Sequence, residues 1–278
     1  MISLYRSNGE GDMQMTETRR RSRKAPPEIC SRPKCRALAG EICIAISGAA
    51  EVHRALCAPE MMRAGDFEIA TRIIPARHVG GDFVCIMHRG NRMIAVVGDL
   101  MGKGLSAAMW LTHTVDLIHR AAESSHNLKS MLELLNSELV NSRVGAPLTT
   151  ALAVELDTCT NVTSYSSAGH PPGILLRSGS VEVLSEGGPI LGAFANADFV
   201  VSQLELSPGD TLIGYSDGIS EARNSQEEEF TTARIVGCLR SARGGSARSQ
   251  TSALLNAVNN FCSGCFPDDV SILAIQRV

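Results

Sequence analysis

The sequence predicts an α+β fold with mainly antiparallel sheets. Three observations carry that prediction. Short apolar runs cluster before and after a pair of long helical patterns. The links between successive runs are of hairpin length and rich in Gly, Asn, Asp and Pro. The strict strand–helix–strand alternation of a doubly wound parallel sheet is missing. The 278 residues suit one large domain with a short appendage, and 44% hydrophobic residues supply a core.

Residues 1–37 are polar, basic and broken by proline, which predicts a disordered basic tail. Residues 38–62 predict a linker or regulatory helix, with Ala49, Val52 and Leu56 on one stripe. That stripe is a candidate homodimer contact or, equally, a face packed on the chain's own domain. The domain is predicted over 63–278. Phe67–Ile74 is its first strand, followed by a turn through Gly80-Gly81. Phe83–His88 and Met93–Val97 form a hairpin across Arg89-Gly90-Asn91-Arg92. Helical periods run over 105–123 and 127–140, the second with Leu128, Met131, Leu132, Leu135 and Leu139 in phase and Asn127 as cap. Strands follow at Thr149–Leu156, Asn161–Ser167, Gly173–Arg177, Val181–Leu184, Phe199–Leu206 and Thr211–Tyr215. Helices are predicted at 231–241 and 249–261, and a last strand at Val270–Arg277.

Charge is unevenly spread. Residues 1–40 hold nine Lys/Arg against four Asp/Glu, and the remainder 17 against 25. A basic head on an acidic body argues against a nucleic-acid-binding core. The nine cysteines show no framework, which suits reduced thiols in a cytoplasmic protein. Cys262 and Cys265 are the one close pair; without a second pair or a histidine they make a weak zinc signal. No stretch approaches the ~20 apolar residues of a transmembrane segment.

Four aspartates stand at the margins of apolar runs: Asp82 after Gly80-Gly81, Asp99 after Val96-Val97-Gly98, Asp217 before Gly218, and Asp268 before the last strand. Carboxylates gathered at one rim of a sheet raise one another's pKa, and a hard divalent cation relieves the conflict. Oxygen-only ligands favour Mg²⁺ or Mn²⁺ over zinc. Taken singly, each aspartate reads first as a turn former or cap.

Five segments in order carry a resemblance: Val79-Gly80-Gly81-Asp82-Phe83, Gly98-Asp99-Leu100-Met101-Gly102-Lys103-Gly104, Ala168-Gly169-His170-Pro171-Pro172, Ser216-Asp217-Gly218-Ile219-Ser220-Glu221-Ala222 and Asp268-Asp269-Val270-Ser271. Over about residues 50–278 the chain resembles the SpoIIE/RsbU-type branch of the bacterial PPM, or metal-dependent, serine/threonine phosphatases. The resemblance implies two packed antiparallel sheets flanked by helices, and two divalent cations, Mn²⁺ or Mg²⁺, at one edge. It implies Asp99 as the bridge between the ions, the Leu100 carbonyl on the second, and Asp217 and Asp268 on the first. Asp82 would act through a metal-bound water or a weaker ion, so Asp82 and Asp99 are the catalytic pair. Arg77 and Lys103 are candidate phosphate contacts. His170, Thr150, Gly192 and Asn224 match and read as structural. Asp268 rather than Asp269 takes the ligand role. The expected activity is hydrolysis of phosphoserine or phosphothreonine on a regulatory protein, such as an anti-sigma-factor antagonist, by a water activated between two cations. A catalytically inactive interaction module of the same fold is the alternative. One departure stands out: Thr231 occupies a position where relatives carry glycine.

Overall fold

The computed structural model describes residues 33–102, 104–143 and 145–278; the unit considered below is Ile42–Val278. Helix α1 (Pro33–Leu56) leads into strand β1 (Met61–Ala64) and strand β2 (Phe67–Ile74). The helix expected to run to residue 62 therefore stops at Leu56. Pro59 has no amide hydrogen to continue it, and the Ala58 amide is committed to the Val84 carbonyl at 2.7 Å. Met61–Ala64 instead pairs with Phe67–Ala70 across a turn at Gly65, whose φ is 55°. The tail expected over 1–37 lies outside the described residues up to 32, and from Pro33 the chain is helical.

Strands β3 (Asp82–Arg89) and β4 (Arg92–Leu100) form the expected hairpin, longer at both ends. Helices α2 (Leu105–Ser124) and α3 (Leu128–Val140) follow, and the Asn127 side chain caps α3 by accepting the Ser130 amide. Next come β5 (Thr149–Asp157), β6 (Val162–Ala168), β7 (Gly173–Leu176), β8 (Val181–Leu184), β9 (Gly187–Gly188), β10 (Ser202–Glu205) and β11 (Thr211–Tyr215). The chain closes with the short α4 (Asp217–Ser220), α5 (Thr231–Ser241), α6 (Ala247–Phe261) and β12 (Val270–Arg277).

Two strand readings need correction. The strand expected at Phe199–Leu206 shrinks to Ser202–Glu205, and Gly187–Gly188 was missed. Both have one cause. Gly187 and Gly188 occupy the edge of β6 at Ser167 and Ala168, so β10 reaches only Val162–Tyr165. Phe199 turns into the core instead.

The strands form two sheets, ordered β1-β2-β12-β11-β7-β8 and β10-β6-β5-β4-β3. Among the described residues every strand pairing but that of β6 with β9 is antiparallel. The period of two sorts the side chains into layers. Met93, Ala95 and Val97 of β4 meet Phe67, Ile69, Leu273 and Ile275 between the sheets. Ile94, Val96 and Leu100 pack outward under α2 and α3. Ala70, Ile272 and Ala274 pack outward under α5 and α6. The result is the expected α-β-β-α sandwich.

Thr231 has φ 65°, the left-handed region that β-branched residues avoid. A glycine in relatives is thereby explained, and Thr231 stores strain of ~1–2 kcal/mol. Thr231→Gly is expected to raise stability by about 1 kcal/mol, or about 2–4 °C in Tm, in a thermal melt.

Candidate active site

The same period of two aims the acidic groups. Asp99 continues the parity of Met93, Ala95 and Val97, and Asp82 that of Val84, so both project into the layer between the sheets. Their backbones are register partners, Asp82 opposite Asp99. On the facing sheet, Ser271 shares the parity of Leu273, and Ser216 that of Leu212. The inter-sheet core thus ends in a polar cap of two aspartates and two serines. Ser216 and Ser271 were not read from the sequence; the parity of the apolar run that follows or precedes each is the signal that finds them.

Asp82 is 2% exposed, and its Oδ2 has no hydrogen-bond partner. Burial pushes its carboxyl well above the usual range. The Ser216 hydroxyl draws it back, the Asp99 charge raises it, Ser271 lowers it and Asp269 raises it. Among the described residues this is a carboxylate short of a positive partner.

Asp217 and Asp268 come together on the other side. They line one cleft of about 210 Å³ with Gly218, Glu221, Arg223 and Pro267. The Glu221 carboxyl is raised by burial first, then by the Asp217, Glu229 and, more weakly, Asp268 charges, with Arg223 opposing. A smaller cleft lined by Ala76, Arg77, Val79 and Gly104 is shared with Pro267, Asp268 and Asp269, so the turn after Asp99 meets the Asp268 loop there. Arg77, which lines it, is exposed. Lys103 lies outside the described residues.

Asp269 has a different task from its neighbour. Its carboxylate accepts the amides of Ala76 and Gly81, both at 2.8 Å, and so holds the Pro75–Gly81 loop. A carboxylate spent on two backbone donors is a brace, which leaves Asp268 facing the cleft. The glycines explain themselves by crowding. A Cβ on Gly80 would stand 2.0 Å from Asp269 Oδ2. One on Gly81 would stand 2.6 Å from the Leu100 carbonyl oxygen and 2.8 Å from Asp99 Oδ1.

His170 is buried, and its ring bonds to a strand residue and not to the proline turn. Its Nδ1 lies 2.9 Å from Thr150 Oγ1, and Thr150 is the register partner of Asp99 on β5. Burial pushes its pKa down to about 3, so it stays neutral. Asn224 accepts the amides of Gln226 and Glu228 and shapes its turn. Cys262 is buried and Cys265 exposed, and both are free thiols.

The residues fit a hard cation. Asp82 Oδ2 is an orphaned buried oxygen, Gly81 leaves room where the Leu100 carbonyl and Asp99 approach, and every donor is oxygen. Among the described residues no three acidic, histidine or cysteine side chains stand as a ready chelate. Magnesium-like ions are held by one or two carboxylates and keep several waters, so the pairs Asp82–Asp99 and Asp217–Asp268 match that habit.

A sandwich of this layering with an acidic edge is the fold of the PP2C-type phosphatases. The PP2C domain of SiaA from Pseudomonas aeruginosa superimposes with a TM-score of 0.75 over 86% of this chain and 98% of that one, at 20% identity. The catalytic domain of the serine/threonine protein phosphatase PstP, solved with two manganese ions, gives 0.54 over 76% of this chain and 97% of that one, at 15% identity. The chain belongs to the SpoIIE family: the model of Stage II sporulation protein E (SpoIIE) matches residues 89–278. Protein IcfG of Synechocystis sp. is 27% identical over 73% of this chain. Phosphoserine phosphatase RsbU of Bacillus subtilis is 23% identical over 68% of it. The chain spans 37% of IcfG and 57% of RsbU.

The orphaned carboxylate yields a crossed prediction. Asp82→Asn is expected to stabilise the metal-free protein at pH 8 by about 1–3 kcal/mol, because it removes an unpaired buried charge. The gap closes as pH falls through the raised folded pKa, and vanishes below the unfolded value of about 3.9. Mn²⁺ at ~100 times its Kd is expected to stabilise the wild type by about 2.7 kcal/mol and to leave the variant nearly unmoved. Thermal melts with and without Mn²⁺ check both halves.

Proposed function

We propose that the protein is a metal-dependent serine/threonine phosphatase that hydrolyses phosphoserine or phosphothreonine on a regulatory protein. The observation that carries the reading is Asp82 set opposite Asp99 in register, with an unpartnered buried oxygen at the end of the inter-sheet layer. RsbU bears the name phosphoserine phosphatase, and PstP was solved with two manganese ions, which supports the same reading.

Asp82, Asp99, the Leu100 carbonyl, Asp217 and Asp268 would hold two divalent cations, Mn²⁺ or Mg²⁺. Bound there, the cations supply Lewis-acid charge and an activated water near neutral pH. The rest is the chain's own work. Asp269 fixes the loop that carries Gly80 and Gly81, and thereby the approach of Asp82 to Asp99. Arg77, exposed beside Asp268, offers a guanidinium to the incoming phosphate, and Arg suits that role by its fork of donors. Lys103, four residues after Asp99 in the sequence, is the second candidate. At about 210 Å³ the cleft lined by Asp217 and Asp268 is smaller than the ~300–1,000 Å³ pockets that enclose small molecules, which favours a phosphorylated segment of a protein. An anti-sigma-factor antagonist is the substrate the resemblance suggests. No described helix is long and apolar enough to cross a membrane, in keeping with the cytoplasmic reading.

The test is phosphate release from a phosphoserine peptide and from an aryl phosphate, each with Mn²⁺ and with EDTA. Release from the peptide that needs Mn²⁺ is the expected result. Equal release in EDTA would sink the two-cation reading.

A further inference from the structure

Strand β3 is the edge of its sheet, with β4 on one side only. Its outward backbone groups need partners from elsewhere. Two come from the end of α1 and the residues after it. The Ala58 amide donates to the Val84 carbonyl at 2.7 Å, and His53 Nε2 lies 3.0 Å from the Asp82 carbonyl oxygen. A carbonyl only accepts, so His53 Nε2 carries the hydrogen. His53 is 4% exposed and comes 29 residues before its partner. None of the five motifs contains it.

Asp82 is the place where β3 most needs holding. It is the first residue of the strand, it follows two glycines, and its carboxylate faces that of Asp99. Like charges at a strand's free end drive it away from its neighbour, and glycines do not resist. Among the described residues the backbone just before Asp82 is held by the Gly81 carbonyl, which accepts the Leu100 amide at 3.2 Å, and by the Gly81 amide, which donates to Asp269 at 2.8 Å.

We infer that His53 is a positioning residue for the cation site: its N–H pins the Asp82 backbone, and so fixes where the Asp82 carboxylate meets Asp99. The inference rests on the two-cation reading above. It makes the last turn of α1 part of the site.

The experiment compares the full chain with His53→Ala, His53→Gln and His53→Leu. Glutamine keeps a side-chain N–H donor, whereas leucine fills the space without one. Mn²⁺ binding is followed by calorimetry, and hydrogen exchange at the Leu100 amide is measured without metal. The expected result is about tenfold weaker Mn²⁺ binding in His53→Ala and His53→Leu, with most of it restored in His53→Gln. Leu100 exchange should quicken in the same two variants. The Mn²⁺ needed for half-maximal phosphate release should rise by the same factor, while the rate at saturating Mn²⁺ changes little. A purely packing role would lower the melting temperature and leave Mn²⁺ affinity unchanged; that outcome in His53→Leu overturns the inference, even if His53→Ala does not fold. If the wild type itself binds no Mn²⁺, the two-cation reading fails and the inference falls with it. Wild-type binding with unaltered variants overturns the inference alone.

Discussion

Asp99→Asn is expected to cut Mn²⁺-dependent release of phosphate from a phosphoserine peptide by about 10³-fold, a loss on the order of 4 kcal/mol in transition-state stabilisation. The substitution keeps the shape of the side chain and removes its charge. Asp99 is the penultimate residue of β4, with its side chain on the inter-sheet face, opposite Asp82 and one residue before the Leu100 carbonyl. Its proposed role is the bridge between the two cations, so its charge is the one whose loss should cost most. The fold should survive, because the core of β4 lies in Met93–Val97 and is untouched. A melting temperature at or above that of the wild type, together with lost turnover, separates the chemical effect from unfolding. Full activity of the variant in EDTA would remove the mechanism.

Gly218→Ala should do comparable damage by a different route. A Cβ there would lie 1.9 Å from the Asp269 carbonyl oxygen, and the atom in the way is backbone, so no side chain can swing aside. Relief requires the Asp268–Asp269 loop to move away from Asp217. Moving it strains the two bonds from Asp269 to Ala76 and Gly81 as well. A loss of about 3 kcal/mol in stability is expected, together with a Mn²⁺ affinity lowered by roughly 10–100-fold. Gly237→Ala is the control. It lies within α5, a Cβ there meets nothing within 4 Å, and alanine is the better helix former, so it should be neutral or stabilising. Chemical denaturation and calorimetry on both variants decide the matter. Equal behaviour of the two would mean that the loop yields more easily than its geometry states.

Much of the fold was legible because its signals are local. The β3–β4 hairpin, α2, α3, β11 and β12 each follow from a period of two or of 3.6 bounded by turn residues, and their bounds shift by at most three residues. The misreadings fall where pairing is decided at a distance. Met61–Ala64 is a strand because β2 stands ready to pair with it, and no pattern within those four residues says so. Phe199–Leu206 has a strand's composition, yet half of it is displaced because two glycines already hold the edge of β6.

The acidic residues show the same division. Asp82, Asp99, Asp217 and Asp268 were readable as candidates from their positions at the ends of apolar runs beside glycine, and from motifs in order. Chain order alone also carries the preference for oxygen-seeking cations, since the donors are carboxylates. Which of two adjacent aspartates faces the cleft was not readable without the resemblance. Asp268 and Asp269 are identical in chemistry, and only the amides of Ala76 and Gly81, some 190 residues earlier, distinguish them. His53 was invisible for the same reason, and Ser216 and Ser271 stood inside the motifs without an assigned role. Their importance comes from what the second sheet and the end of α1 place against Asp82. Periodicity and turn chemistry act between neighbours along the chain and can be read there; the burial that leaves Asp82 Oδ2 without a partner arises only when two sheets close over it.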